Sequence, residues 1–280
     1  SAAPVVSNAA PGFYSVAFAG TNDEVGIHLA SAVPSANGGV IVKLSYLNAA
    51  STLVNVTLGD AITGVKYLTV DGGAGDDRFT ASALGSGIAL KIRGGDGIDT
   101  LVGPDANNGW TISGANSGSS SVVTGFVNIE SLTGGSGADG FSVLGAGSIS
   151  GQIDGGTGAD TLIGPNVDSD WVLAGAGLGT LSSGAGSAIV FTRFEVLRGG
   201  SGADTFKLNP GGVVGRIEGG GGNDAIVADN VVNTWQIQGS NLGTLKGLVD
   251  FATVENLIGG NADDTFLFDA GASISGVVEG

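Results

Sequence analysis

The residues best placed to do chemistry are aspartates that recur at one position of a short glycine-rich motif. The motif is Gly-Gly-x-Gly-x-Asp, and its aspartates are Asp77, Asp99, Asp139, Asp160, Asp204, Asp224 and Asp264. Carboxylate and backbone carbonyl oxygens are the ligands that Ca²⁺ prefers, and glycine offers its carbonyl without a Cβ in the way. The pattern therefore predicts calcium at these turns. The alternative is a plain glycine corner whose Asp accepts backbone N–H groups.

The motif copies come in pairs whose members lie about 20 residues apart. Their first glycines, which we count among the candidate metal ligands, are Gly72, Gly94, Gly134, Gly155, Gly199, Gly219 and Gly259, and the last copy has Ala262 in place of its third glycine. Stacked carboxylates ~5 Å apart repel each other unless a cation or a hydrogen-bond donor lies between them. We therefore expect calcium between paired aspartates, namely Asp77 with Asp99, Asp139 with Asp160, and Asp204 with Asp224.

A second marker follows each pair of motifs. Trp110, Trp171 and Trp235 each lie 16 residues after the second Gly-Gly of a pair, and Glu130, Glu195 and Glu255 occupy a later shared position. The fixed register of each Trp with an Ile or Leu two residues on favours an interior ladder over carbohydrate-stacking platforms. The Glu column is read as an outward row or a turn cap, with a metal or sugar site as its alternative. The super-repeats span about 66–127, 128–192 and 193–252, with a partial copy at 253–280.

These repeats predict an all-β fold, a right-handed parallel β-helix or solenoid. A unit of ~20 residues cannot bury its own apolar face, so stacked coils must cover one another. Short alternating stretches between the glycine turns predict two or three strands per coil, with Phe, Leu and Trp columns inside and three coils per super-repeat. Residues 1–65 lack the motif and are expected to form irregular β coils that cap the N-terminal end.

At the motif itself, the sequence resembles the hemolysin-type (RTX) calcium-binding repeats and, more broadly, the long β-helical adhesins and haemagglutinin-like surface proteins of bacteria. The resemblance covers roughly residues 66–280 and implies several bound Ca²⁺ ions in an extracellular protein. RTX repeats run in tandem every nine residues, whereas these motifs stand singly, so a fully calcium-packed roll is not implied.

Composition excludes several classes of function. The net charge of −16 argues against nucleic acid or an anionic membrane surface as the main partner. No apolar run reaches the ~20 residues of a membrane span. The chain has no Cys and one His, His28, to which we assign no role. Thiolate chemistry is therefore excluded, and we predict no catalytic or cofactor-binding residues.

The sequence thus favours a non-catalytic structural or adhesive segment of a bacterial cell-surface protein, a rigid stalk or filament element stabilised by Ca²⁺. A lateral face that binds a glycan, a protein or another cell-surface ligand is the alternative. A calcium-binding region of a polysaccharide-modifying enzyme is a third hypothesis, although the ten basic residues are too scattered to form its groove. The incomplete final coil suggests end-to-end self-association into filaments.

Overall fold

The structure is a computed structural model that describes residues 4–10, 13–18, 24–29, 42–47, 53–58, 66–82, 88–184 and 187–280. Within these residues it is all-β, with two long sheets and no helix. The described chain thus contains no helix with the length and apolarity needed to cross a bilayer. The prediction of an all-β, solenoid-like protein is confirmed at this level.

Sheet A has 15 strands. Numbered in chain order, they are β1 (Val5–Ala10), β2 (Phe13–Ala17), β6 (Tyr67–Ala74), β8 (Ala89–Asp96), β10 (Gly109–Gly114), β11 (Ser117–Ser120), β12 (Gly125–Val127), β14 (Gly140–Val143), β16 (Thr161–Ile163), β20 (Val196–Gly200), β22 (Arg216–Gly220), β24 (Thr234–Gly239), β25 (Leu242–Leu245), β26 (Val249–Ala252) and β28 (Thr265–Phe268).

Sheet B has 14 strands. They are β3 (Glu24–Leu29), β4 (Val42–Leu47), β5 (Leu53–Leu58), β7 (Arg78–Ala81), β9 (Thr100–Val102), β13 (Ser131–Gly135), β15 (Gln152–Gly156), β17 (Ser169–Gly175), β18 (Leu178–Ser183), β19 (Ile189–Thr192), β21 (Asp204–Leu208), β23 (Ala225–Val227), β27 (Asn256–Ile258) and β29 (Val278–Glu279).

Each motif carries the chain around a corner from one sheet to the other. Successive passes then pair in parallel, as in the register Gly73↔Gly95 between β6 and β8. The chain passes from sheet A to sheet B at the corners of Asp77, Asp99, Asp204 and Asp224. It passes from sheet B to sheet A at the corners of Asp139, Asp160 and Asp264. Because the strands that flank these corners run in one direction within each sheet, the first group lies at one edge of the molecule and the second at the opposite edge. We call these the first edge and the second edge.

The Trp-containing units differ from the prediction of a third stacked coil. Each folds as an antiparallel meander within one sheet, as β10–β11–β12 does in sheet A. The outer strands of that meander pair in parallel with β8 on one side and β14 on the other. Asn116 makes the first reversal with φ 47°, a left-handed conformation that Asn tolerates better than most residues. The meander reverses direction twice, so the parallel run continues beyond it.

The N-terminal strands also pair antiparallel, β1 with β2, β3 with β4, and β4 with β5. They extend the two sheets through the parallel pairs β2 with β6 and β3 with β7. Residues 1–65, where the sequence predicts β structure, contain β1 to β5 among the described residues. The described N-terminal strands therefore lengthen both sheets by antiparallel pairing at one end.

Alternating side chains place the apolar residues between the two sheets. In β21, for example, Phe206 and Leu208 are buried while Lys207 is exposed. One inward column of sheet A runs Trp110, Phe141, Leu162, Leu197, Ile217, Phe251 and Gly243 in register. The sequence predicted that each column would contain one type of residue. Because successive meanders lie in alternate sheets, Trp, Phe, Leu and Ile instead share one column. The column continues through Gly243 to the buried Ile237. Position 243 is glycine because a Cβ there would lie 2.8 Å from the ring of Phe251.

Candidate functional site at the glycine corners

The aspartates of the motif point into the molecule rather than into solvent. Six of the seven are at most 2% exposed, namely Asp77, Asp99, Asp139, Asp160, Asp204 and Asp224. Within each pair, the backbone N–H of the first Asp donates to Oδ1 of the second. The N···O distances are 2.8 Å for Asp77 to Asp99, for Asp139 to Asp160 and for Asp204 to Asp224. The structure therefore confirms that paired aspartates stack on one another.

Each pair continues into a longer column that we call a carboxylate ladder. The second Asp donates its N–H to Oε2 of a glutamate that directly precedes the next strand, as Asp160 does to Glu195 at 2.7 Å. The same bond joins Asp99 to Glu130 and Asp224 to Glu255, both at 2.9 Å. The predicted Glu column is thus the third rung of each ladder, in part the turn cap that the sequence indicated.

The second-edge ladders begin on an asparagine in the loop that precedes a Trp. The N–H of Asn108 donates to Oδ1 of Asp139, and that of Asn233 donates to Oδ1 of Asp264, both at 2.7 Å. On the first edge, Ser169 lies in register with Asp204. Sequence reasoning missed these starting residues. The signal was present, because each of them stands two residues before a Trp.

The first glycine of each motif makes room for the Asp. A Cβ on Gly134 would lie 2.2 Å from the carbonyl oxygen of Gly155 on the next strand and 2.5 Å from Oδ2 of Asp139. The carboxylate therefore packs against the glycine Cα, where only hydrogen fits. The second glycine turns the corner, as Gly135 does with φ 126°. The seven glycines that were counted as metal ligands are thus required sterically.

Four of the buried aspartates have one carboxylate oxygen that receives no N–H or O–H donor from the described residues. This holds for Oδ2 of Asp99, Asp139, Asp160 and Asp224. Burial raises the pKa of Asp224 to about 6, to which the neighbouring charges of Asp204 and Glu255 contribute, although the N–H of Asp204 lowers it. Burial likewise raises the pKa values of Asp99, Asp139, Asp160 and Asp204. The ladders therefore take up protons more readily than free carboxylates do.

The calcium prediction can be compared with this geometry. Ca²⁺ takes six to eight oxygen ligands at 2.3–2.6 Å around one point. Here Oδ1 of the second Asp in each pair is engaged by an N–H group, and the other oxygen packs against a glycine Cα. Among the residues that the structure describes, no three His, Cys, Asp or Glu side chains group as metal ligands. The described side chains thus do not form a cation cage between paired aspartates, and calcium binding stays a prediction.

The tryptophans lie inside, as the favoured interpretation predicted. Trp110, Trp171 and Trp235 are at most 2% exposed, so they do not form carbohydrate platforms on the surface. Each stacks on a Phe of the next super-repeat; Trp171, for example, has a ring-centroid distance of 5.3 Å to Phe206. The side chain of His28 lies outside the described residues.

The fold and the ladders together define a solenoid-like all-β protein with two sheets and hydrogen-bonded acidic corners. Comparison of the chain with protein-family models, curated proteins and solved structures finds no match.

Two substitutions of Asp160 distinguish how much its hydrogen bond and its negative charge each contribute to the free energy of unfolding. Asp160→Ala removes the acceptor of the buried Asp139 N–H and should lower the free energy of unfolding by about 1–3 kcal/mol. Asp160→Asn keeps an acceptor oxygen and removes a buried charge, so its unfolding free energy should stay within about 1 kcal/mol of the parent. Urea unfolding of both variants measures the difference. Equal losses in the two variants would mean that the ladder needs the negative charge.

Proposed function

We propose that this chain is a non-catalytic structural element, a stiff stalk or filament segment built as a right-handed β-solenoid. The observation that carries this proposal is the continuity of its interior. A single cluster of buried apolar residues runs from Val16 to Leu257 between the two sheets. Carboxylate ladders tie neighbouring strands at both edges.

The architecture suits a load-bearing rod. With strands ~4.8 Å apart, the 15 strands of sheet A give an axis of roughly 65–70 Å. Pulling along this axis would break neighbouring strands one pass at a time, because each pass contacts only its neighbours. Location on a bacterial cell surface, outside the cell, belongs to the same proposal and is supported by the resemblance of the motif to secreted repeat proteins.

Force spectroscopy on the chain tethered through its two termini tests the proposal. A solenoid should resist force and then release passes of ~20 residues, each adding about 65–70 Å of contour length at ~3.4 Å per residue. Asp160→Ala should lower the force of the step that contains β15 and β16, while Asp160→Asn leaves it nearly unchanged. Smooth extension at low force without steps would contradict a load-bearing role.

Two further roles from the sequence remain as alternatives. A lateral face that binds a glycan would need a surface other than the buried tryptophans. End-to-end association would use the terminal strands β28 and β29, where Leu267 and Phe268 are 47% and 49% exposed. Sedimentation velocity at increasing concentration tests the second, since self-association raises the sedimentation coefficient. An unchanged coefficient up to high concentration would rule it out.

A further inference from the structure

Two of the three glutamate rungs are completed by an asparagine of the same chain. Nδ2 of Asn116 donates to Oε1 of Glu130 at 2.8 Å and to the hydroxyl of Ser150 at 3.0 Å. Its Oδ1 accepts the N–H of Ser150 at 2.9 Å. Asn241 makes the same three bonds to Glu255 and Ser275. A primary carboxamide is thus a fixed part of the site in the first and third super-repeats.

The second super-repeat lacks this carboxamide. Gly177 occupies the hairpin position of Asn116 and Asn241, six residues after the Trp, and has a similar left-handed φ of 59°. The loop that supplies the serine in the other copies is one residue shorter beside Gly177. The shorter loop lies between Phe206 and Ile217. The longer loops lie between Phe141 and Ile153 and between Phe266 and Val278.

The glutamate beside Gly177, which is Glu195, is left half satisfied. Oε2 of Glu195 accepts the N–H of Asp160, as in the other ladders, but no donor among the described residues reaches its Oε1. Glu195 is also exposed, whereas Glu130 and Glu255 are half-buried. The neighbouring Arg193 does not fill the gap, because its guanidinium pairs with Asp154.

A groove of about 400 Å³ lies at this position on the second edge. Its walls include Gly177 and Glu195 and the apolar side chains of Val213, Val214 and Leu248. The missing side chain and the shortened loop both border it. The groove therefore lies where the other two super-repeats hold an Asn side chain and a serine.

We propose that this groove binds a primary carboxamide, the side chain of an asparagine or glutamine presented by a partner polypeptide. The chain's own Asn116 and Asn241 show the geometry that such a group adopts against this glutamate. An NH₂ group can donate to Oε1 of Glu195, and the apolar walls contact the aliphatic part of the side chain. A carboxylate of the same shape is repelled by Glu195.

Titration followed by ¹⁵N–¹H NMR tests the proposal with three small probes. They are N-acetylasparagine N-methylamide, its aspartate counterpart, and its alanine counterpart, which lacks the side-chain group. The asparagine probe should cause saturable shifts at residues 176–177 and 193–195 and bind at least about tenfold more tightly than either control, since a hydrogen bond to a charged group contributes about 1.5–3 kcal/mol. The proposal would be overturned if the asparagine probe did not bind, or if it bound no more tightly than the two controls. Butylammonium serves as a further control, and tighter binding of this cation would also overturn the proposal, because it would indicate a general cation site.

Two variants locate the site. Asn116→Gly removes the carboxamide beside Glu130, while Ser150 stays in place, at a position where glycine adopts φ > 0 freely. It should add a second set of saturable shifts near Glu130. Gly177→Asn supplies the carboxamide internally and should abolish binding. Its Cβ would lie 2.6 Å from the carbonyl oxygen of Phe194, so the backbone there must move slightly. Unchanged probe binding in both variants would place the probe elsewhere and overturn the proposal.

Discussion

Gly219→Ala is expected to destabilise the chain by about 3 kcal/mol or more, because the new Cβ has no room. It would lie 2.0 Å from the carbonyl oxygen of Thr253 and 2.5 Å from Oδ2 of Asp224. The first atom belongs to the backbone of the adjacent strand, and the second belongs to a buried side chain that holds the ladder. Relief of either contact would separate β22 from β26 or move Asp224 away from the N–H of Asp204.

Gly140→Ala is the matched control for this variant. Gly140 also lies in a strand of sheet A, but no atom comes within 4 Å of its added Cβ. Its unfolding free energy should stay within about 0.5 kcal/mol of the parent or rise slightly. Urea unfolding followed by circular dichroism compares the two. If both alanine variants behaved alike, the Asp would not be packed against the first glycine of the motif as described.

Trp171→Ala is expected to cost about 3–5 kcal/mol of unfolding free energy, the usual range for removing a large buried aromatic side chain. Trp171 is fully buried, stacks on Phe206 and meets the edge of Phe191 at a ring-centroid distance of 5.9 Å. Its removal leaves a cavity between the second and third super-repeats. Hydrogen exchange should therefore show the largest loss of protection in β17 to β21.

Trp171→Phe distinguishes the contribution of ring packing to the free energy of unfolding from that of the indole N–H. The Nε1–H of Trp171 is buried without an acceptor, so a phenyl ring loses volume but no hydrogen bond. A loss of about 1–2 kcal/mol is expected, well below that of the alanine variant. Similar large losses in both would indicate that the indole N–H has a partner, such as a buried water.

The local features could be predicted from the sequence because they repeat. Seven copies of the motif mark seven corners, and alternation around residues such as Phe206 and Leu208 identifies the strands and their buried faces. The pairing of Asp139 with Asp160 follows from their separation by one pass. These features depend on local periodicity, which a repeated sequence shows many times over.

The direction of strand pairing could not be predicted in the same way. A stretch such as Trp110-Thr111-Ile112 buries alternate residues whether its neighbour runs parallel or antiparallel, so nothing in it identified the meander. Because each meander stays within one sheet, the next pair of motifs leaves the opposite sheet, and successive ladders lie at alternate edges. This alternation was not predicted because the meander was not predicted. The hydrogen bond between Asp99 and Glu130 was not predicted, because the two residues lie 31 positions apart along the chain.

The ladders make stability depend on pH in a definite direction. The pKa of Asp224 is raised from 3.8 to about 6, and four other ladder aspartates shift the same way. Between these pH values the folded chain binds more protons than the unfolded chain, so the free energy of unfolding falls as the pH rises from about 4 to above 6. Glu218 opposes this, because its hydrogen bonds to Arg216 and Arg198 outweigh burial and lower its pKa.

The most direct test of the carboxylate ladder is thermal unfolding by circular dichroism in excess chelator at pH 5 and pH 8, repeated with millimolar calcium at pH 8. The ladder predicts a folded, cooperatively melting chain in chelator, with a Tm roughly 5–10 °C higher at pH 5 than at pH 8. A chain that is unfolded in chelator at both pH values and folds only when calcium is added would contradict it and would establish calcium at the corners.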